Sequence, residues 1–269
     1  MNRLRLGALL ALAAAIGVAC HAPEASAAAE VHRLNLVLSA VPGSLDGGDF
    51  NGLLERYSQY PLGARGLEAL KSVTMGWFYQ AELRYFVRPS FTVNAGVGQI
   101  KSQTKQEFLP GIGRDIQLRG QVLSVPVHAG GTYYFTPYNQ GDFQARAFLG
   151  GGFLSLVDNK AIFEQVEVAT DSSSTLGGSQ RLEARGDGPG YYTEFGVHMF
   201  FAARYSVLLG ATYRSAVIRN MSNKGRIMVP SDRPPYGLIP LVYNDGTPVR
   251  VNTLDVSGLG VRMALGIGF

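Results

Sequence analysis

The chain closes on LGVRMALGIGF, residues 259–269, where every second position is large and apolar: Leu259, Val261, Met263, Leu265, Ile267 and Phe269. Between them stand Gly260, Arg262, Ala264, Gly266 and Gly268. A period of two marks a strand, because successive side chains point to opposite faces. With that period the chain divides into eight alternating segments, roughly 32–41, 73–87, 90–101, 117–136, 142–157, 188–202, 205–221 and 251–269. The connections alternate in length. Those at 87–90, 136–142 and 202–205 are short, and those at 42–72, 102–116, 158–187 and 222–250 are long.

In the second segment Trp77, Tyr79, Ala81, Leu83, Tyr85 and Val87 share one face, and Phe78, Gln80, Glu82, Arg84 and Phe86 the other. The later segments divide the same way, with no charge on the bulky face of any strand core. A lipid-facing Arg or Lys at a bilayer midplane costs roughly 2–4 kcal/mol, so this is the pattern lipid enforces. Aromatics gather at the short turns (Tyr85, Phe86, Phe91; Tyr133, Tyr134, Phe135; Phe200, Phe201, Tyr205), where an interfacial girdle belongs. The glycine-rich face suits a narrow interior that side chains just fill. The pattern therefore predicts an all-β fold: an eight-stranded antiparallel up-and-down transmembrane β-barrel with short periplasmic turns and long extracellular loops. A soluble barrel of lipocalin type would need a polar exterior, which the glycines opposite the apolar stripes do not supply.

Composition adds a compartment. Arg3 and Arg5, the apolar run Leu6 to Val18 and Ala25-Ser26-Ala27 have the form of a secretory signal, predicting a signal peptide over 1–27 and a barrel domain over 28–269. Cys20 lies in this segment. Gly17, three residues before it, stands where a lipidation signal carries Leu, Val or Ile. The chain holds one cysteine, so the exported part has no disulfide. Losing Arg3, Arg5 and Glu24 takes the net charge from +4 to +3, too mild for a nucleic-acid partner. No stretch after residue 27 is long and apolar enough for a membrane helix.

The sequence resembles the small eight-stranded outer-membrane proteins of the OmpA, OmpX and OmpW type. The terminal alternation ending at Leu265, Ile267 and Phe269 carries the likeness, with the hairpin stretches AELRYFVRPSFTVNAGVG (81–98) and SVPVHAGGTYYFTP (124–137). The resemblance implies the cell outer membrane as location and recognition of the last strand by the barrel assembly machinery. It leaves open a closed anchor or a narrow channel. With no peptidoglycan-binding domain after Phe269, the role of full-length OmpA proteins is not expected.

The parity directs Arg33, Glu82, Arg84, Arg146, Glu194, Arg214 and Arg262 into the lumen, five cations against two anions. Buried charges must pair, so these form either a plugging Arg/Glu ladder or the lining of a gated, weakly anion-preferring path. His128 and His198 also face inward, without the carboxylate or thiol cluster a metal needs, so neither metal nor other cofactor is expected. No histidine stands on an apolar face, so an enzyme of the lipid-acting barrel kind is not expected either. In loop one Asp49 suits an N-cap, and Phe50, Leu53, Leu54 and Tyr57 recur at helical spacing: a short amphipathic helix on the rim or capping the mouth, or an entry for apolar solutes.

Loop three predicts a prolonged hairpin, with Ile162, Glu164, Val166 and Val168 alternating, a tip at 171–179 and a return through 182–184. At its base, Arg185-Gly186-Asp187 is an integrin-type tripeptide that is also ordinary turn chemistry. Loop four is proline-rich and basic (Lys224, Arg226, Arg233, Arg250), a solvated loop or a surface for lipopolysaccharide phosphates. The expected partners are outer-membrane lipid, lipopolysaccharide and the assembly machinery, with the protein itself a monomer. Two functions follow: a structural or surface-interaction barrel with a side-chain-filled lumen, or a porin-like narrow channel for small or hydrophobic solutes.

Overall fold

The protein is described by a computed structural model covering residues 32–59, 71–108, 114–169, 179–201, 204–228 and 249–269. The expected signal segment with Cys20, residues 171–178 of the loop-three tip, Arg233 of loop four and the side chains of Tyr57, Val168 and Arg226 lie outside the described residues.

Among the described residues eleven strands form one antiparallel sheet: β1 (Leu34–Ser44), β2 (Met75–Arg88), β3 (Phe91–Phe108), β4 (Arg114–Tyr134), β5 (Tyr138–Gln140), β6 (Phe143–Ala169), β7 (Ser179–Phe201), β8 (Tyr205–Arg219), β9 (Ser222–Met228), β10 (Thr253–Asp255) and β11 (Gly258–Gly268). A ring of backbone hydrogen bonds passes through eight of them. It runs β1-β2-β3-β4-β6-β7-β8-β11 and returns to β1, where Leu36 pairs with Ile267 and Leu38 with Leu265. Every ring strand thus has a neighbour on both sides, which removes the edges an open sheet would expose. The short strands β5, β9 and β10 pair with β6, β7 and β8 outside this circuit.

The strands overshoot their expected ends. β3 and β4 stay paired to Phe108 and Ile116, through a stretch expected as a loop, and β6 and β7 to Val166 and Ser179, along the expected prolonged hairpin. Physically, the overshoot is polar on its outer face (Lys101, Gln103, Lys105, Arg119, Glu164, Arg181), so the bulky stripe ends where the pairing does not. Loop three continues its strands as a hairpin. Ala161, Phe163, Leu182 and Ala184 point inward, whereas Val166 is exposed and Glu164 faces out. A bulge between Leu156 and Asn159, with Asp158 at φ 48°, flips the register there. The Ser124 hydroxyl donates to Asn159 Oδ1, and Asn159 Nδ2 donates to the Gly186 carbonyl at 2.7 Å, pinning three strands at the bend.

The helix α1 (Asp49–Gln59) fills the mouth of the overshooting wall. It does not lie on the rim. Phe50, Leu53 and Leu54 are buried against Val73, Ile100, Leu118, Val122, Phe163, Leu182 and Leu254 in one apolar core. A turn with Gly47 and Gly48 at φ 78° and 55° lets the chain double back into the mouth, where a side chain would be strained. Asn51 then clamps the helix. Its amide donates to the carbonyls of Asp46 (2.6 Å) and Val73 (3.0 Å), and its Oδ1 accepts from Val73 N (2.7 Å). The Asp49 carboxylate accepts from Thr253 N at 3.0 Å, tying the helix to β10.

Phe50→Ala should therefore cost about 3–5 kcal/mol, the range for truncating a buried aromatic. Urea unfolding of the refolded protein in detergent reads the loss. Wild-type stability would show that the mouth core contributes nothing.

Candidate functional site

The inward parity of the ring strands builds a stack of three layers. The middle one is charged. Glu82 and Arg84 stand on β2, Glu194 on β7 and Arg262 on β11, all 2% exposed or less. Small partners give these side chains room: Glu82 pairs across the sheet with Gly96, Glu194 with Gly150 and Arg262 with Gly210. A Cβ on Gly96 would stand 2.6 Å from the His128 ring, and one on Gly150 2.7 Å from Thr132 Oγ1 and 3.0 Å from Glu194. The glycines are thus where larger side chains cross.

Arg84 uses its whole fork. Its Nε donates to Glu82 Oε1, its Nη1 to the Tyr134 hydroxyl at 2.9 Å and its Nη2 to Glu194 Oε1 at 2.7 Å. Arg262 Nη1 donates to Glu194 Oε2, and its Nη2 lies 3.4 Å from Glu82 Oε2. Two guanidinium groups and two carboxylates therefore alternate. Polar neighbours complete the shell. Gln80 donates to Glu82 Oε2 at 2.7 Å, His128 Nε2 lies 3.0 Å from the same oxygen, and Thr132 donates to Glu194 at 3.0 Å. Every carboxylate oxygen has a partner, as a buried charge requires. Tyr134 accepts from Arg84, and its hydroxyl also lies 2.9 Å from His198 Nδ1.

Toward the short turns lies an aromatic layer of Phe86, Tyr134, Phe148 and Phe200, packed with Val37, Leu208 and Ala264. This corrects the girdle expected from sequence. Of the aromatics expected there, Phe86, Tyr134 and Phe200 point inward, whereas Tyr85, Phe91, Phe135, Phe201 and Tyr205 are exposed. Their neighbours in sequence alternate, so half of any aromatic cluster in a strand must turn inward. The third layer is the apolar mouth around α1.

The remaining cations separate from the cluster. Arg146 sits in the aromatic layer, 5.9 and 5.7 Å from the ring centres of Phe86 and Phe200, bonded to Gln144 and the Pro89 carbonyl. Arg214 lies at the mouth side, donating to the carbonyls of Val256 (2.8 Å) and Ser44 (3.1 Å). Arg33 is exposed before β1, outside the lumen where it was expected. Parity sets a residue's face, but only height along the strand decides its partners. Sequence reasoning missed Gln80, Thr132 and Tyr134 as members of the network, although all three share the inward parity.

The outer face is the reverse. Trp77, Tyr79, Leu83, Val97, Phe153, Phe195, Val261 and Leu265 are exposed, Phe153 by 82% and Leu265 by 68%. Phe269 and Ile267 belong to this face too. Over this belt no outward position of a ring strand is charged, and the first charges stand above it, at Lys101, Arg119, Asp187 and Arg219. Above the belt an ion-pair ladder covers the overshoot, with Arg181 bridging Glu164 (2.6 Å) and Glu183 (3.2 Å) and Arg185 on Glu183. Partial burial pushes the Glu183 carboxyl up, but hydrogen bonds from Arg185 and Arg181 outweigh it and hold it below the ordinary carboxylate range. Arg185-Gly186-Asp187 is thus in mid-strand, its arginine engaged by Glu183. Among the described residues no group of three or more His, Cys, Asp or Glu is placed to hold a metal.

No family model matches the chain, and no curated protein does. Among solved structures it is similar to the outer membrane protease OmpT of Escherichia coli, at 7% identity and a TM-score of 0.29 over 91% of this chain and 99% of that one. It is also similar to the transport unit of the Escherichia coli autotransporter AIDA-I, at 10% identity and a TM-score of 0.24 over 96% and 97%. A third is a Pseudomonas aeruginosa FadL homologue, at 11% identity and a TM-score of 0.17 over 88% and 90%. Likenesses this low carry no weight for function, which rests on the geometry above.

Removing one member of the cluster should hurt more than removing a pair. Glu194→Met leaves two arginines short of a partner and should cost roughly 3–5 kcal/mol, most of it recovered in Glu194→Met with Arg262→Met. The single tryptophan, Trp77, reports unfolding in lipid vesicles. Additive losses would mean that the charges are not coupled.

Proposed function

We propose that the chain is an outer-membrane β-barrel protein whose filled interior makes it an ion-tight structural or surface-interaction protein. The observation that carries this is the stack of aromatic, charged and apolar layers occupying the interior from the short turns to the mouth. A porin-like path would have to part the Arg84–Glu194 pair and also move α1 out of the mouth.

The outer belt supports the membrane. The ten residue steps from Trp77 to Val87 rise about 34 Å along the strand. At the roughly 40° tilt usual for membrane barrels this is about 26 Å, close to the apolar band of roughly 25 Å that such barrels present. Water could not tolerate so continuous an apolar surface on a monomer, since exposed patches rarely exceed a few hundred Å². The ion-pair ladder and the length of the overshoot support a topology with the overshoot outside the cell and the short turns in the periplasm. Closure of the ring favours a monomer. Lys101, Arg119, Lys224 and Arg250, all at or above the belt, would meet lipopolysaccharide phosphates. Leu265, Ile267 and Phe269 keep their bulk outward on a strand whose edges are free only before closure, which suits recognition during assembly. No catalytic role is assigned: His128 and His198 are both buried inside the filled interior.

Refolded protein should migrate differently on a gel before and after boiling, as closed barrels do, and should give no discrete openings in a planar bilayer. Glu82→Ala should stay equally silent, because the layers on either side still block the path. Openings in the wild type would overturn the ion-tight reading in favour of a narrow channel.

A further inference from the structure

Between the charged layer and the mouth lies a cavity of about 20 Å³. It is lined in part by Arg214, Arg262, Thr212, Gln80, His128 and Phe78. Both arginines are almost wholly buried, Arg214 at 4% and Arg262 at 2% exposure. Neither is saturated. Arg214 Nη1 and Arg262 Nε are buried with no hydrogen-bond partner among the described residues, whereas Arg262 Nη2 lies 3.4 Å from Glu82 Oε2. Two donor nitrogens on two cations that line one cavity form an arrangement that water or an anion would complete.

Charge decides between the two. In the middle layer Arg84 and Arg262 are balanced by Glu82 and Glu194. Among the described residues Arg214 has no carboxylate: its partners are the carbonyls of Val256 and Ser44, with the Phe78 ring 5.8 Å from its guanidinium carbon. A buried cation without a counter-charge is strongly unfavourable, and water offers only a dipole. Size selects the class of anion. The cavity holds one water-sized particle, which admits a halide but neither phosphate nor sulfate. Phe78, Leu154 and Pro126 make part of the wall apolar, which suits a weakly hydrated ion.

We propose that this cavity binds a single monovalent anion of halide size between Arg214 and Arg262. The ion would join two layers, since Arg262 is anchored to Glu194 in the charged layer and Arg214 to the mouth segments at Ser44 and Val256. It is a closed structural site, independent of whether the interior conducts.

Bromide is the probe. Crystals of the refolded protein grown in sodium bromide, with data collected at the bromine edge, should show an anomalous peak within hydrogen-bonding distance of Arg214 Nη1, and Arg214→Met should remove it. In solution, at constant ionic strength, replacing sodium fluoride by chloride or bromide should raise the wild-type Tm by about 2–4 °C and leave Arg214→Met unmoved. A cavity holding water without anomalous signal would overturn the proposal. So would a Tm indifferent to the anion, or a peak unchanged in Arg214→Met, which would be an adventitious ion only. The wild-type measurements stand even if the variant does not fold.

Discussion

Closing eight strands into a ring creates an interior too narrow to stay empty and too dry to leave a charge alone. That constraint organises the molecule. Each inward side chain must either fill space or satisfy another, and the middle layer does both by alternating two guanidinium groups with two carboxylates. Glycine supplies the space: Gly96 and Gly150 stand opposite Glu82 and Glu194, where a side chain would occupy the volume the network needs. The alternation of bulk and glycine in the last strand is the outward sign of this inward economy.

The ends of the stack use different chemistry for the same task. Near the short turns, aromatic rings fill the interior, and the one cation among them lies over ring faces and bonds to a carbonyl and an amide. At the mouth, the strands outlast the apolar belt and their inner face turns aliphatic, so that α1 and the segment before β11 pack as they would in a water-soluble domain. The bulge at Asp158 and the Ser124–Asn159 contact sit at the change from one regime to the other.

Much of this was legible in the sequence, for a physical reason. A period of two fixes which face a residue occupies, so Glu82, Arg84, Glu194 and Arg262 could be turned inward and Leu265 and Phe269 outward without a structure. Height was not legible. Arg33, Arg146 and Arg214 share the parity of the cluster but lie below or above it, and nothing local in the chain encodes that separation. Strand ends were misjudged where the outer face turns polar, since the pattern then loses its bulky stripe while the hydrogen bonds continue. Phe86, Tyr134 and Phe200 stand among aromatics that suit a girdle, yet their parity alone points inward.

The central claim is that the bulky face meets lipid and the alternate face a filled interior. The chain's single cysteine, Cys20, lies in the expected signal segment, so cysteines introduced one at a time into residues 28–269 can carry a nitroxide without competition. In vesicles, labels at Leu83→Cys, Phe153→Cys and Val261→Cys should be relaxed by dissolved oxygen and shielded from a water-soluble nickel reagent. Relaxation of those outward labels by the aqueous reagent would contradict the account, since the belt would then face water.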